Sequence, residues 1–367
     1  MRQTSSNHSR AAGFTLLELL LVIVILSAVA WMLTSTVGDN IAQVRYDDTR
    51  NRLDAIRGAV LGPTGAAALE RGILSGYVVD NGVLPENIKA LVTRIVDDSV
   101  EPAVAHDAFG LTAPVFNQGS AGEAKLEQPE HLLMKGHRGA YVAALANGWF
   151  RDGWGTELGS DGTAGIDCPT LPDGGSGNEG NNVDADNHGW CVTRSQDRWY
   201  VDSYGLDGKE GQLTGTPYEQ DMPMSPPILA DDWQVNVQGR SVRIYNKTGA
   251  ILELGGVNLS AALLVYKNDA NGDGPNWESV RTAAVLVNSL GNSDYFEAPF
   301  PNTGRVPIPT GEHLLVLVHE PGGGHSDTPD LAALVATEEW KGTQQYITKR
   351  VKFYSRGGVP DMVLEIR

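Results

Sequence analysis

The sequence predicts an α+β protein: a long N-terminal helix that starts as a transmembrane segment, a small antiparallel sheet packed on it, and a C-terminal all-β sandwich. Three observations predict this class. Residues 14–37 form an apolar run, residues 42–60 repeat apolar side chains at helical spacing, and short alternating runs recur from residue 230 onward. We therefore expect four parts, namely a leader at 1–13, the long helix at 14–62, a head at 63–227 and the sandwich at 228–367.

The charge balance excludes one class of partner. Lys and Arg number 28 against 45 Asp and Glu, which gives a formal net charge of −17 at pH 7. Nucleic-acid binding needs a basic surface that neutralises phosphates, so this balance argues against a nucleic-acid partner.

The N-terminus predicts a membrane segment with a defined orientation. Residues 1–13 are polar and contain Arg2 and Arg10 but no acid, whereas residues 14–37 are apolar or small except for Glu18. At the helical rise, this run spans about 36 Å, enough for a hydrocarbon core of about 30 Å. The basic flank predicts a cytoplasmic N-terminus and an exported remainder.

Two simpler interpretations of this segment stay open on the residues alone. One is a plain signal anchor, and the other is a signal peptide cleaved after Ala30, because Ala28, Val29 and Ala30 form a small-x-small site. Glu18 argues against both, since a carboxylate inside an apolar span costs about 2.5–3.5 kcal/mol.

The segment Gly-Phe-Thr-Leu-Leu-Glu-Leu-Leu at residues 13–20 resembles the type IV prepilin motif. The resemblance implies that prepilin peptidase cuts after Gly13, that Phe14 becomes the N-methylated first residue, and that Glu18 neutralises a neighbouring subunit's new amine during assembly. It also implies a single-pass inner-membrane protein whose bulk is periplasmic or in a surface filament. Its partners would be other pilin or pseudopilin subunits, the peptidase and the inner-membrane assembly platform.

The helix is predicted to continue past the membrane. Its buried face should carry apolar or small residues at steps of 4, 3 and 4, namely Thr49, Leu53, Ile56 and Val60, with Arg50, Asp54 and Arg57 facing elsewhere. Gly62 and Pro63 should end it.

Two head segments extend the resemblance to pseudopilins. Asp80–Pro85 is similar to the D-x-G-x-x-P segment that follows the long helix, and Asp152–Gly155 is similar to the D-x-W-G turn. We expect Trp154 to anchor the head core and assign it no catalytic role.

Cys168 and Cys191 are the two cysteines, and they bracket an insert at 159–190 that is rich in Gly, Asn and Asp. In an oxidising compartment we expect a disulfide, which would close the loop with an entropic contribution of about 3 kcal/mol. Two reduced, buried thiols are the alternative.

The segment from Ser203 to Gly211, with Asp221 beyond it, resembles the calcium loop of the major pseudopilin of type II secretion. The resemblance implies calcium ligands at Ser203, Leu206, Asp207 and Asp221. The family loop closes with two aspartates, but here Asp221 stands alone and the loop is longer, so a loop held by turn hydrogen bonds is the alternative.

The last third predicts the sandwich, reached through a proline-rich linker at 222–227. Seven strand-like runs are expected, at 233–238, 241–246, 261–266, 283–287, 313–318, 347–353 and 362–366. Asp269–Gly274 begins like an EF-hand loop, but Val280 occupies the glutamate position, so we expect a turn. His319, Glu320 and His325 lack zinc-protease spacing, and Ser326 and Asp327 beside His325 form no triad by sequence alone.

The sequence therefore predicts a pseudopilin or minor pilin of a type II secretion pseudopilus or a type IV pilus. Pilins normally stop before such a C-terminal addition, which favours a specialised subunit. A pilus-displayed adhesin or ligand-binding protein that uses the sandwich is the alternative, and an enzyme is not expected because no catalytic set converges.

Overall fold

The structure is a computed structural model that describes residues 16–63, 72, 74–92, 111–117, 123–125, 133–144, 149–155, 187–194, 198–206, 208, 211, 217–269, 274–320 and 347–367. Within these residues it contains four helices and sixteen strands, most of them paired antiparallel. The predicted α+β class is thereby confirmed.

Helix α1 (Leu16–Leu61) has 46 residues and is about 69 Å long at the standard rise. Its C-terminal half is amphipathic, as predicted: the buried face contains Ala42, Thr49, Leu53, Ile56 and Val60. Arg50 and Asp54 lie on the exposed face. The 3.6-residue periodicity therefore identified the face that packs against the rest of the chain.

The head is built around the second half of α1. It contains two short helices, α2 (Tyr77–Asn81) and α3 (Lys89–Val92), and a pair of strands, β1 (Val115–Asn117) and β2 (Glu123–Lys125). Its antiparallel sheet has four strands, and β4 is the common partner of the other three. They are β3 (Cys191–Arg194), β4 (Arg198–Ser203), β5 (Met222–Pro223) and β6 (Ile228–Leu229).

The segment predicted as a linker, residues 222–227, begins inside this head sheet. Met222 pairs with Ser203, and the backbone N–H of Met224 donates to Val201 O at 2.9 Å. Both methionine side chains are buried in the head core. The prolines of this segment predicted a linker. They lie at edge-strand and turn positions, where the missing N–H of proline removes no hydrogen bond between strands.

The C-terminal part starts with helix α4 (Ala230–Trp233) and contains two main sheets. The inner sheet is β9 (Leu252–Asp269), β10 (Gly274–Arg281), β11 (Val285–Leu290), β14 (Gly311–Glu320) and β15 (Thr348–Phe353), ordered β10-β9-β14-β15 with β11 also paired to β9. The outer sheet is β8 (Ser241–Asn246), β12 (Tyr295–Pro299) and β16 (Val363–Ile366), ordered β12-β8-β16. Strands β7 (Gln234–Asn236) and β13 (Pro307–Pro309) form a separate pair.

A hydrophobic core lies between the inner and outer sheets. It contains Val242 and Ile244 from β8, Leu263 from β9, Leu317 from β14 and Leu364 from β16. Alternating residues of each strand point into this core, which is the two-residue period of a strand with one face on a neighbouring layer.

The opposite face of the inner sheet packs on the head. Leu264 and Val316 belong to one cluster with Phe116 and Leu133 of the head. At Gly82 the head backbone lies directly against the inner sheet, because a Cβ there would lie 1.8 Å from the carbonyl oxygen of Tyr266. The central strands β9 and β14 are therefore buried on both faces along residues 259–266 and 314–318, between the head and the outer sheet.

The apparent EF-hand segment is a strand connection. Strand β9 ends at Asp269 and β10 begins at Gly274, and these two residues are paired in antiparallel register. Val280 is partly buried against the C-terminal core. Residues 270–273, and likewise His325, Ser326 and Asp327, lie outside the described residues.

Candidate functional site

The first part of α1 exposes apolar side chains on every side. All residues from Leu16 to Met32 are exposed, and the exposed fraction reaches 82% at Leu16 and 78% at Trp31. A helix that is apolar all round differs from the amphipathic segment that follows it. Within the described residues, no helix combines the length and the apolarity that a membrane span requires.

Glu18 lies in the first turn of α1, within this exposed segment. It is the one charged residue among residues 14–37. Gly13 and Phe14, the predicted cleavage and methylation sites, lie outside the described residues, so processing there stays a prediction.

The Asp-Gly-Trp-Gly turn at 152–155 fixes the head to α1. The backbone N–H of Gly153 donates to Thr49 Oγ1 at 2.9 Å, and Thr49 Oγ1 donates to Arg45 O at 2.9 Å. A Cβ at Gly153 would lie 2.1 Å from Arg45 O, so only glycine permits this approach. Asp152 holds the turn by accepting the Trp154 N–H at 3.1 Å.

Residues 8–34 match the family model of the prokaryotic N-terminal methylation motif. The chain carries the signature of type IV pilins and pseudopilins. This motif implies a pilin-like substrate of prepilin peptidase that assembles with other pilin subunits, and it suggests a membrane-anchored or surface-filament protein. No curated protein and no solved structure matches the chain significantly.

The tryptophans that anchor the core of the head differ from the predicted one. Trp154 is only half-buried, and the Arg45 guanidinium lies 5.5 Å from the centre of its ring. Trp190 and Trp199 are fully buried instead, and their indole N–H groups donate to Phe150 O at 2.6 Å and Pro85 O at 3.0 Å. The prediction for Trp154 was wrong: its ring lies beside the Arg45 side chain of α1, and Trp190 and Trp199 fill the head core in its place.

The predicted calcium loop closes through protein hydrogen bonds. Ser203 Oγ donates to Asp152 Oδ2 at 2.6 Å and accepts the Gly205 N–H at 3.3 Å, while the Leu206 N–H donates to Glu219 O at 3.2 Å. Asp221 Oδ2 accepts the Gly211 N–H at 2.7 Å.

The structure thus brings Ser203, Leu206 and Asp221 to one loop, whereas Asp207 lies outside the described residues. Among the described side chains, no group of three or more His, Cys, Asp or Glu could hold a metal ion. The Ser203 hydroxyl and one Asp221 oxygen already have protein partners, which matches the alternative of a loop held by turn hydrogen bonds. Calcium at this loop stays a prediction.

Cys191 is fully buried and disulfide-bonded, and Tyr204 packs against it. Cys168, the other cysteine of the sequence, lies outside the described residues, so its pairing with Cys191 stays a prediction.

A partly buried polar network within the head, which reaches the inner sheet where Lys135 Nζ lies beside Gly311, was not predicted. Asp80 Oδ1 pairs with Arg138 Nε at 3.0 Å, and Asp80 Oδ2 accepts the Tyr141 hydroxyl at 3.1 Å. Lys135 Nζ donates to Val79 O at 2.5 Å. Burial raises the pKa of Asp80 and lowers the pKa of Lys135 to about 8, and in each case the partner charge acts in the opposite direction.

His313 should make the stability of this junction depend on pH. Burial, with a smaller contribution from the Lys135 charge, lowers the pKa of His313 to about 3, and its Nε2 lies 2.8 Å from Pro309 O. The unfolded state takes up this proton first, so the free energy of unfolding should fall as the pH drops from about 6.5 to 3, by up to about 1.4 kcal/mol per pH unit.

Chemical unfolding of the full chain in detergent across this pH range checks the expectation. His313→Gln keeps a hydrogen-bond donor without titrating, so its pH slope should be shallower than that of the wild type. Equal slopes would show that His313 does not carry the effect.

Proposed function

We propose that the chain is a pseudopilin or minor pilin with a structural rather than an enzymatic role. Prepilin peptidase cleaves it after Gly13, Phe14 is N-methylated, and residues 14–37 anchor the subunit in the inner membrane before assembly into a type II secretion pseudopilus or a type IV pilus. The observation that carries this proposal is the methylation motif at 8–34, which coincides with the exposed apolar start of α1.

The exposed segment needs an apolar environment. Thirteen large apolar side chains between Leu16 and Met32 are exposed. Leaving them in water would cost on the order of 20 kcal/mol, at about 1.5–3 kcal/mol for each side chain that is fully buried instead. Lipid and the packed helices of a filament both remove this cost, so the same segment serves as an anchor and then as an assembly element.

Glu18 favours the assembled subunit over the isolated one. Cleavage creates a positive amine at Phe14, four residues before Glu18, in an apolar environment. In a filament, a staggered neighbour offers its amine to Glu18, so the arrival of a second subunit offsets the cost of a carboxylate in an apolar environment.

Ion pairs connect the C-terminal part to the second half of α1, which the head covers. The buried carboxylate of Asp232 lies 3.6 Å from Arg57 of α1 and 2.6 Å from Arg356, which follows β15. Arg57 also donates to Pro226 O at 2.6 Å. We propose that the C-terminal sheets form a sandwich domain that the subunit carries in a fixed orientation.

The proposal is tested by whether removal of residues 1–13 depends on prepilin peptidase. In cells that contain prepilin peptidase, the intact mass of the chain should decrease by residues 1–13 and increase by one methyl group. Cells without the enzyme should keep the leader. A Gly13→Leu variant, which lacks the small residue before the cleavage site, should also keep the leader. Removal of the leader without the peptidase and in the Gly13→Leu variant would contradict the proposal.

A further inference from the structure

We draw no further inference here: the strongest candidate, the cleft between the end of α1 and residues 138–141, carries nothing because its charged groups, Asp80 and Arg138, already pair with each other and nothing in the described part of the chain shows what would occupy it.

Discussion

Replacing Glu18 by alanine should leave membrane insertion and leader cleavage nearly intact but lower incorporation into filaments about tenfold or more. In the proposed assembly, the variant lacks the carboxylate that would neutralise a neighbour's amine, and a loss of about 1.4 kcal/mol per contact already corresponds to a factor of ten. Insertion should not suffer, because alanine removes a side chain that is costly in an apolar span. Glu18→Asp should be intermediate at best, since the shorter side chain loses reach.

Cross-linking to the major pilin subunit, normalised to the amount of processed chain, measures this effect. Ser27→Ala is a matched control in the same exposed segment, because Ser27 Oγ donates to Ile23 O at 2.8 Å within its own helix. It should assemble like the wild type. If Glu18→Ala also assembles like the wild type, then apolar packing alone holds the helix in place.

Replacing Asp232 by alanine should lower the free energy of unfolding by about 2–4 kcal/mol. Its carboxylate is 3% exposed, contacts Arg57 and Arg356, and accepts the Leu229 N–H at 3.0 Å. The change removes a helix cap, worth about 1 kcal/mol, and leaves the half-buried Arg57 without this acidic partner. Because Arg356 is 67% exposed, its guanidinium can be solvated in the variant. The decrease in the free energy of unfolding therefore stays below that for breaking a fully buried ion pair.

Asp231→Ala provides the comparison for this prediction. Asp231 is the neighbouring residue, and its ion pair with Arg305 at 3.1 Å is on the surface, with the Asp231 side chain 90% exposed. Its removal should cost less than about 1 kcal/mol. Denaturation of both full-length variants in detergent would separate the two cases, and equal losses would contradict the role of Asp232 in joining α1 to the C-terminal sheets.

Local patterns predicted the elements that have one buried face. The spacing of Thr49, Leu53, Ile56 and Val60 gave the packing face of α1, and alternation predicted β8 at the bounds observed, 241–246. β12 was missed because Glu297 and Pro299 interrupt its sequence, and only pairing with β8 makes it a strand. β10 was missed for a related reason, since its glycine and proline are at the strand start.

Packing between distant segments could not be read from the sequence. The contact of Gly82 with the backbone of Tyr266 joins segments more than 180 residues apart, and in the sequence Gly82 is only a turn residue. The same holds for Lys135 and His313, whose pKa values follow from burial at the head–sheet junction rather than from any motif. The N-terminal motif was readable because its residues act in a short contiguous segment.

The identity of the first residue of the mature chain tests the central claim most directly. Peptide mass spectrometry of the chain purified from membranes that contain prepilin peptidase should find N-methylated Phe14 as the first residue. An unmethylated mature chain that starts at Trp31, after Ala30, would identify an ordinary signal peptide and contradict the pilin assignment.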